Sequence, residues 1–147
     1  MHDPQIQFIT ELGTIVIELY PEQAPLTVNN FLRYVVEDRF ADSCFYRVVR
    51  ADNQPHNKIK IAVIQGGLQV DEHPLRLPPI SHETTQQTGL RHADGTLSMA
   101  RNEPGSASSE FVICLGDHNP NWISAASAAP GSAIANKRHG SRVMAWP

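Results

Sequence analysis

One basic side chain stands out among the residues that could take part in chemistry. Arg47 lies in the middle of SCFYRVVR, residues 43–50, which alternates as a β-strand does and puts Phe45, Arg47 and Val49 on one predicted face. A guanidinium is always charged and only donates hydrogen bonds, so on a sheet it could be aimed at an acceptor of a ligand. The alternative is an edge strand with one solvated side.

Two further stretches combine polar side chains with small residues. VIQGG, residues 63–67, places Gln65 before two glycines, and alone it also fits a strand that ends in a turn. ARNEPGSASSEF, residues 100–111, carries Arg101 and Glu110, and alone it would be a flexible loop. Its GSASS is not the GxSxG of a nucleophile elbow, so the sequence does not indicate a serine hydrolase.

Histidines and cysteines give no pattern typical of a metal site. The three histidines of a proline-rich, loop-like segment are too far apart for a local pair of ligands and are predicted to be exposed: His73, His82 and His92. Cys44 and Cys114 form no CxxC motif, so we predict two reduced, buried thiols. The sequence therefore indicates neither a metal nor a cofactor.

The periodicity of apolar residues predicts many strands and few helices. Two strands, QIQFIT and GTIVIELY, flank a turn near Gly13, and four more are predicted in CFYRVVR, IKIAVIQ, TLSMA and SEFVICL. Residues 24–40 switch to helical period, with Pro25 ahead of the apolar run and Thr27 as a candidate N-cap. This pattern favours a closed or sandwiched β architecture.

Composition predicts a single folded domain. The chain has 147 residues, of which 41% are hydrophobic, and a formal net charge of −3. Nucleic acids and acidic membranes require clustered Lys and Arg, so neither is an expected partner. No apolar run has membrane-spanning length, and MHDPQIQ lacks the plan of a secretory leader. As written, the chain is expected to be cytoplasmic; a signal peptide missing from it would make the protein periplasmic.

Four stretches resemble, in order and wording, the cyclophilin family of peptidyl-prolyl cis–trans isomerases, in particular its bacterial members. They are GTIVIELYPEQAPLTVNNF, FYRVV, VIQGG and GTLSMARNEPGSASSEFVIC, and the resemblance runs from about Ile6 to Asn121. It implies a mainly β fold, namely an antiparallel eight-stranded barrel with capping helices and a shallow proline groove on its outer face. On this ground we predict a cyclophilin-like domain over residues 5–121.

The resemblance also implies roles for individual residues. Arg47 matches the family's catalytic arginine, and Gln65 matches the glutamine that helps to hold this arginine and the substrate. The predicted substrate-binding residues are Tyr46, Ala62, Val63, Ala100, Arg101, Glu110, Val112 and Trp122. Of these, Ala62, Val63 and Val112 fall where the proline ring is held. The implied partners are proline-containing polypeptides and cyclosporin-like ligands, and a monomer without cofactor is expected.

The implied reaction agrees with the chemistry of an arginine. An X–Pro bond is planar by resonance, with a rotation barrier of ~20 kcal/mol. Twisting localises the lone pair on the proline nitrogen and creates an acceptor that the planar amide lacks. A fixed guanidinium can donate to it, and catalysis then needs only tighter binding of the twisted amide than of either planar form.

The wall of the implied proline pocket departs from the family pattern. Ala62, Val63 and Val112 stand where the common cyclophilin wall has phenylalanine, methionine and phenylalanine. Burial of one phenylalanine contributes roughly 1.5–3 kcal/mol, so the loss of two weakens proline binding by roughly one to three orders of magnitude unless the loop DNQPHNKIK refills the space. The alternative function is therefore a catalytically weak or inactive, chaperone-like module that binds proline-containing segments.

The carboxyl-terminal segment departs further. After Asn121 the stretch WISAASAAPGSAIANKRHGSRVMAWP has neither strand nor helix period and lacks the elements that the family has there. The codons TGG ATT TCG GCG GCN for its first five residues, regrouped as xTG GAT TTC GGC GGC, spell the family's own Leu-Asp-Phe-Gly-Gly. We interpret residues 122–147 as a non-family tail, frameshifted or disordered, which the nucleotide sequence around Asn121 tests. On this interpretation the barrel lacks its last strand and closing helix, so we expect it to be incomplete at the C-terminus.

Overall fold

The computed structural model describes residues 3–41, 43–53, 61–102 and 105–116, and the backbone of residues 132–136. Seven strands lie in these ranges: β1 (Gln5–Thr10), β2 (Gly13–Leu19), β3 (Cys44–Val49), β4 (Val63–Gly67), β5 (Leu97–Met99), β6 (Phe111–Cys114) and β7 (Ser132–Asn136). The helices are α1 (Pro25–Val36), α2 (Thr85–Thr88) and a 3₁₀ turn at Ala51–Asn53. The predicted mainly β class with two helices is confirmed. In the described part of the chain, no helix is long and apolar enough to cross a membrane.

The described strands form one antiparallel sheet in the order β1-β2-β7-β5-β6-β4-β3. The sheet curls, since Phe8 of β1 and Phe45 of β3 bring its two ends into ring contact at 5.8 Å. Among the strands described, β1 and β3 are not hydrogen-bonded to each other, so the sheet has seven strands and is not the closed eight-stranded barrel that the family resemblance implies.

Strand β7 lies in the segment for which the sequence has no strand period. Its backbone pairs with β2 on one side and β5 on the other. Most of residues 122–147 lies outside the described ranges, so the domain boundary at residue 121 and the frameshift interpretation stay predictions.

The core is built around phenylalanine. The five phenylalanines of the chain form one cluster: Phe8, Phe31, Phe40, Phe45 and Phe111. Phe111 contacts the other four with ring centroids 5.3–5.8 Å apart. Offset and edge-to-face aromatic pairs add about 0.5–1.5 kcal/mol each to the burial of their area. Strand β6 is therefore anchored in the core through Phe111, and the neighbouring Val112 faces the other side of the sheet.

The amino end of α1 is capped by a loop carboxylate. Pro25 is in the first turn, as the sequence predicts, but the N-cap is Ala24 and has no side-chain cap, so the expected role of Thr27 is wrong. Instead, Glu83 accepts hydrogen bonds from the backbone N–H groups of Leu26 (3.0 Å) and Thr27 (2.9 Å) and from the Thr27 hydroxyl (2.6 Å). A carboxylate there satisfies free N–H groups and complements the positive end of the helix dipole.

Two expectations about reactive side chains are corrected. Cys44, at the start of β3, is exposed, whereas Cys114 is buried and both thiols are free. None of the three histidines predicted to be exposed is so: His73 and His82 are half-buried and His92 is buried. The Nε2 of His92 lies 2.9 Å from the hydroxyl of buried Ser98. Alternation alone did not reveal that β3 begins at the surface or that the loop before β5 turns inward.

Candidate active site

A β-bulge on β3 decides where Arg47 points. Phe45 lies opposite Gly66 of β4, but Arg47 lies opposite the preceding residue, Gln65, so Tyr46 is the extra residue of the bulge. Phe45 therefore packs into the phenylalanine cluster, while Tyr46 and Arg47 both line a groove on the outer side of the sheet. The predicted common face of Phe45 and Arg47 is wrong because the bulge interrupts the two-residue alternation.

The glycines after Gln65 lie inside β4 and allow close packing. A Cβ at Gly66 would lie 3.0 Å from the Phe111 ring and 3.2 Å from the carbonyl oxygen of Cys44. At Gly67, where φ is +134°, it would lie 2.7 Å from an oxygen of the Glu110 carboxylate. Residues 65–67 are thus part of a paired strand, with no room for a side chain at residues 66 and 67, and are not merely a strand end with turn glycines.

The groove has a volume of about 310 Å³ and gathers most of the predicted site residues. Those that line it are Tyr46, Arg47, Val63, Gln65, Ala100, Arg101, Glu110 and Val112. One part of its wall is aliphatic and the other carries charged and hydrogen-bonding groups. The order of these residues along the chain does not bring them together; the pairing of β4 with β3 and β6 does.

The aliphatic wall is formed by Val49, Ile61, Val63, Ala100 and Val112. Ile61 and Val63 face the groove, whereas Ile64 packs into the core on the other side. Ala62 is not among the lining residues, because alternation along the extended chain turns it away from the groove, and Ile61 takes the place predicted for it. Trp122 lies outside the described residues, as do residues 54–60 of the loop expected to refill the pocket.

The polar wall is a chain of hydrogen bonds that starts at Arg47. Its Nη1 donates to Gln65 Oε1 at 3.2 Å, and Gln65 Nε2 donates to the Tyr46 hydroxyl at 2.9 Å. The Tyr46 hydroxyl donates in turn to Glu110 Oε2. Burial, followed by the hydrogen bond to Glu110 and its charge, raises the pKa of Tyr46 well above the usual value of 10.0, so the phenol stays protonated and keeps donating.

Arg76 is a groove residue that the sequence did not suggest. Its Nη2 lies 3.2 Å from Glu110 Oε1 and 3.7 Å from Asp71, and its Nη1 donates to the Ser108 hydroxyl at 2.8 Å. The Arg76 side chain is only 18% exposed. It comes from the proline-rich loop after β4, where periodicity gives no signal of a function.

Arg101 lines the groove with a partly buried cation. Its Nη1 donates to the Asn102 carbonyl oxygen at 3.3 Å, and its buried Nε has no hydrogen-bond partner within residues 3–41, 43–53, 61–102 and 105–116. Burial lowers the pKa of Arg101, and burial together with the Arg101 charge lowers the pKa of His82. Over the same ranges, no group of three or more His, Cys, Asp and Glu side chains could hold a metal ion.

This arrangement suits one kind of ligand. The aliphatic wall can hold a small apolar ring, and the guanidinium of Arg47 stands next to it on the same face of the sheet. Arg47 can donate hydrogen bonds but cannot act as a nucleophile or a general base. The groove can therefore bind a ring and stabilise an acceptor that develops beside it.

Comparison with known proteins identifies the family that the chain matches. Residues 5–134 match the family model of cyclophilin-type peptidyl-prolyl cis–trans isomerases. A peptidyl-prolyl cis–trans isomerase of Acinetobacter baylyi is 33% identical over 134 residues, 90% of this chain and 64% of the relative. Peptidyl-prolyl cis–trans isomerase B of Escherichia coli is 32% identical over 116 residues, 78% of this chain and 64% of the relative. The chain thus spans just under two thirds of these curated relatives.

Solved structures agree at the level of the fold. A cyclophilin-type peptidyl-prolyl cis–trans isomerase of Cryptosporidium parvum superposes with a TM-score of 0.61 at 22% identity, covering 92% of this chain and 77% of that one. A second structure of the same protein, determined in the presence of the dipeptide Ala-Pro, superposes with a TM-score of 0.59. The family predicted from four short stretches of sequence is confirmed.

Proposed function

The chain belongs to the cyclophilin-type peptidyl-prolyl cis–trans isomerase family, and on that premise we propose that it catalyses rotation about X–Pro peptide bonds in polypeptides and so assists protein folding. The observation that carries the proposal is the position of Arg47. Its guanidinium is held by Gln65 at 3.2 Å on the same groove as the aliphatic wall. A proline ring against that wall brings its nitrogen to the side of the groove where Arg47 stands.

The mechanism follows from what changes when the bond twists. The planar amide spreads the nitrogen lone pair into the carbonyl, and the barrier of ~20 kcal/mol is largely the loss of this resonance. In the twisted state the lone pair is localised, and Arg47 donates a hydrogen bond to the proline nitrogen. Because this acceptor exists only in the twisted state, the bond lowers the barrier and leaves both planar states unaffected.

Catalysis also requires that the proline ring of the substrate is held still, and the aliphatic wall of the groove can do this. If Val63, Val112 and Ile61 hold the proline, the carbonyl of the preceding residue is the part that rotates. One well-aimed donor in a site shielded from water contributes about 3 kcal/mol, or about 10²-fold in rate. The remainder of the acceleration comes from holding the ring and backbone in the twisted geometry.

The proposed substrates are proline-containing polypeptides, in keeping with the family and with the Cryptosporidium parvum structure determined in the presence of the dipeptide Ala-Pro. Cyclosporin-like ligands are proposed as competitors for the same groove. Inhibition by such a ligand that is relieved by excess proline peptide is the expected result. We further propose that the chain acts as a monomer, which a sedimentation measurement at assay concentration tests.

A protease-coupled assay on a short chromogenic X–Pro peptide tests the activity. We expect the chain to accelerate isomerisation and Arg47→Ala to lower kcat/KM by about 10²-fold, since it removes the one donor aimed at the nitrogen. Arg33→Ala is the matched control, because Arg33 is an exposed arginine of α1 paired with Glu37, away from the groove. Equal activity in wild type and Arg47→Ala contradicts the mechanism.

The aliphatic wall favours a second candidate function, a module that binds proline-containing segments without catalysing their cis–trans isomerisation. In the described part of the groove, the ring would contact only valine, isoleucine and alanine side chains. Titration of a proline peptide followed by NMR separates the two functions. Binding to the groove with no acceleration in the coupled assay supports the module and contradicts the enzyme.

A further inference from the structure

The hydrogen-bond chain behind Arg47 has a direction that is set at both ends. At one end Arg47 can only donate, and at the other the carboxylate of Glu110 can only accept. Between them lie a hydroxyl and an amide, each of which can donate and accept. The two ends together therefore determine which way the two middle groups are turned.

The direction follows link by link. The Tyr46 hydroxyl donates its hydrogen bond to Glu110, so its oxygen can only accept a hydrogen bond from the amide nitrogen of Gln65. Gln65 then presents its carbonyl oxygen to Arg47. With the amide reversed, an N–H group would face the guanidinium, and two donors would oppose each other.

Glu110 is held in place by more than this chain. Its Oε1 accepts from the Gln69 backbone N–H at 3.0 Å, the Ser109 hydroxyl at 2.9 Å and Arg76 Nη2 at 3.2 Å. The Glu110 side chain is only 16% exposed. Gly67 makes room for it, because a Cβ there would lie 2.7 Å from Oε2. The carboxylate is thus a partly buried group with donors on both oxygens, and it does not move freely at the surface.

We propose that Glu110 is a positioning residue that acts through Tyr46 and Gln65 to hold the Arg47 guanidinium in the orientation required for donation to the proline nitrogen. Arg76 supports it by binding the other carboxylate oxygen. The inference rests on the proposed isomerase function for its effect on rate. Its effect on the Arg47 side chain needs no substrate and can be measured separately.

The orientation matters because the Arg47 side chain is exposed and, within the part of the protein that the structure describes, its guanidinium makes one hydrogen bond, to Gln65. A guanidinium that rotates freely about its Cζ–Nε bond spends only part of its time in the productive geometry. Glutamine in place of Glu110 keeps the size but can donate to the Tyr46 oxygen, which frees the phenol proton to turn toward Gln65 and reverse the chain. The variant Glu110→Gln therefore changes direction without removing volume.

The experiment compares Glu110→Gln and Tyr46→Phe in the full chain, each also combined with Arg47→Ala. We expect each single variant to lower kcat in the protease-coupled assay by about five- to tenfold with KM changed by less than about twofold, the loss of one positioning hydrogen bond. In the Arg47→Ala background the same changes should have no further effect, since Glu110 acts through Arg47. Glu37→Gln, in an ion pair at the end of α1 outside the groove, is the control.

Nitrogen NMR of the Arg47 guanidinium, assigned by its loss in Arg47→Lys, gives a readout without substrate. Rotation about the Cζ–Nε bond should be about fivefold faster in Glu110→Gln and Tyr46→Phe than in wild type. Unchanged rotation in both variants overturns the proposal, and so does an equal loss of kcat with and without Arg47. If the wild type has no isomerase activity, the proposed function fails, and the NMR comparison alone still decides for or against the positioning role.

Discussion

Gly67→Ala provides a sharp test of how the site is packed, because two independent penalties meet at this position. The backbone φ is +134°, a region that residues with a Cβ rarely adopt. The new methyl group would also lie 2.7 Å from Oε2 of Glu110 and 2.7 Å from the carbonyl oxygen of Ser109. The backbone oxygen cannot move away without disturbing the start of β6.

The two penalties can be sized separately. A residue held in a sparsely populated backbone region costs about 1–3 kcal/mol. Forcing an extra carbon into a packed site costs about 1–3 kcal/mol more. We therefore expect Gly67→Ala to lower the free energy of unfolding by about 2–6 kcal/mol, a large part of the about 5–15 kcal/mol by which a domain of this kind is stable.

Two other glycines separate the penalties. Gly89→Ala meets a positive φ of +72° but nothing within 4 Å, so only the backbone cost of about 1–2 kcal/mol is expected. Gly66→Ala meets the Phe111 ring at 3.0 Å without a positive φ, so only the packing cost of about 1–3 kcal/mol is expected. The expected order of damage puts Gly67→Ala first.

Urea unfolding measured by circular dichroism gives these differences. With a slope of about 1–3 kcal/mol per molar urea, Gly67→Ala should move the midpoint down by at least about 0.7 M. The packing argument is refuted if Gly67→Ala costs no more than Gly89→Ala. In that case the backbone of β4 must be able to shift at residue 67, and Glu110 is not held as tightly as its contacts indicate.

Three further predictions address a thiol, a helix cap and the groove wall. Burial, followed by the charge of Asp94, raises the pKa of Cys114 from 9.0 to about 12, so a thiol reagent should modify only exposed Cys44 in the folded chain and both cysteines in urea. The unfolded chain loses the Cys114 thiol proton at a lower pH than the folded chain does, so the free energy of unfolding should fall by about 2 kcal/mol between about pH 8 and pH 10.5. The fall should be smaller in Cys114→Ala. A fall of equal size in this variant contradicts the raised pKa of Cys114. Glu83→Gln should lower the free energy of unfolding in urea by about 1–2 kcal/mol, because α1 loses its charged cap. The control Glu22→Gln, at an exposed glutamate, should lower it by less than about 0.5 kcal/mol. Equal losses in the two variants would show that Glu83 does not stabilise α1. Ile61→Ala should raise KM for a proline peptide by about five- to tenfold with kcat nearly unchanged; an unaltered KM means that the ring is not bound against this wall.

Local patterns were reliable for the presence and type of the longer elements. The two-residue and 3.6-residue periods predicted six of the described strands and α1, and Pro25 lies at the start of that helix. The same patterns missed β7 and the short helix α2, whose stability comes from a capping box between Thr84 and Gln87. Periodicity reports which faces are buried, and these two elements carry little of that signal.

In the candidate site, the sequence predicts some of the groove residues but not all of them. Short sequence motifs point to Arg47, Gln65 and Glu110, and all three line one groove. No local pattern points to Arg76, because its partner Glu110 is 34 residues away in the chain. A residue whose role depends on a contact with a residue distant in sequence cannot be recognised from the residues next to it in the chain.

The sequence alone determined the family, the residue types at the centre of the groove and the scarcity of bulky side chains in its wall, since each depends on identity and order in the chain. Only the tertiary structure decided that a bulge at Tyr46 separates Phe45 from Arg47, that Ile61 and not Ala62 faces the groove, and how the hydrogen bonds behind Arg47 are directed. These features depend on strand register and on contacts between distant segments. A shift of one residue in register turns a side chain to the opposite face, and the sequence of a strand does not specify its partner.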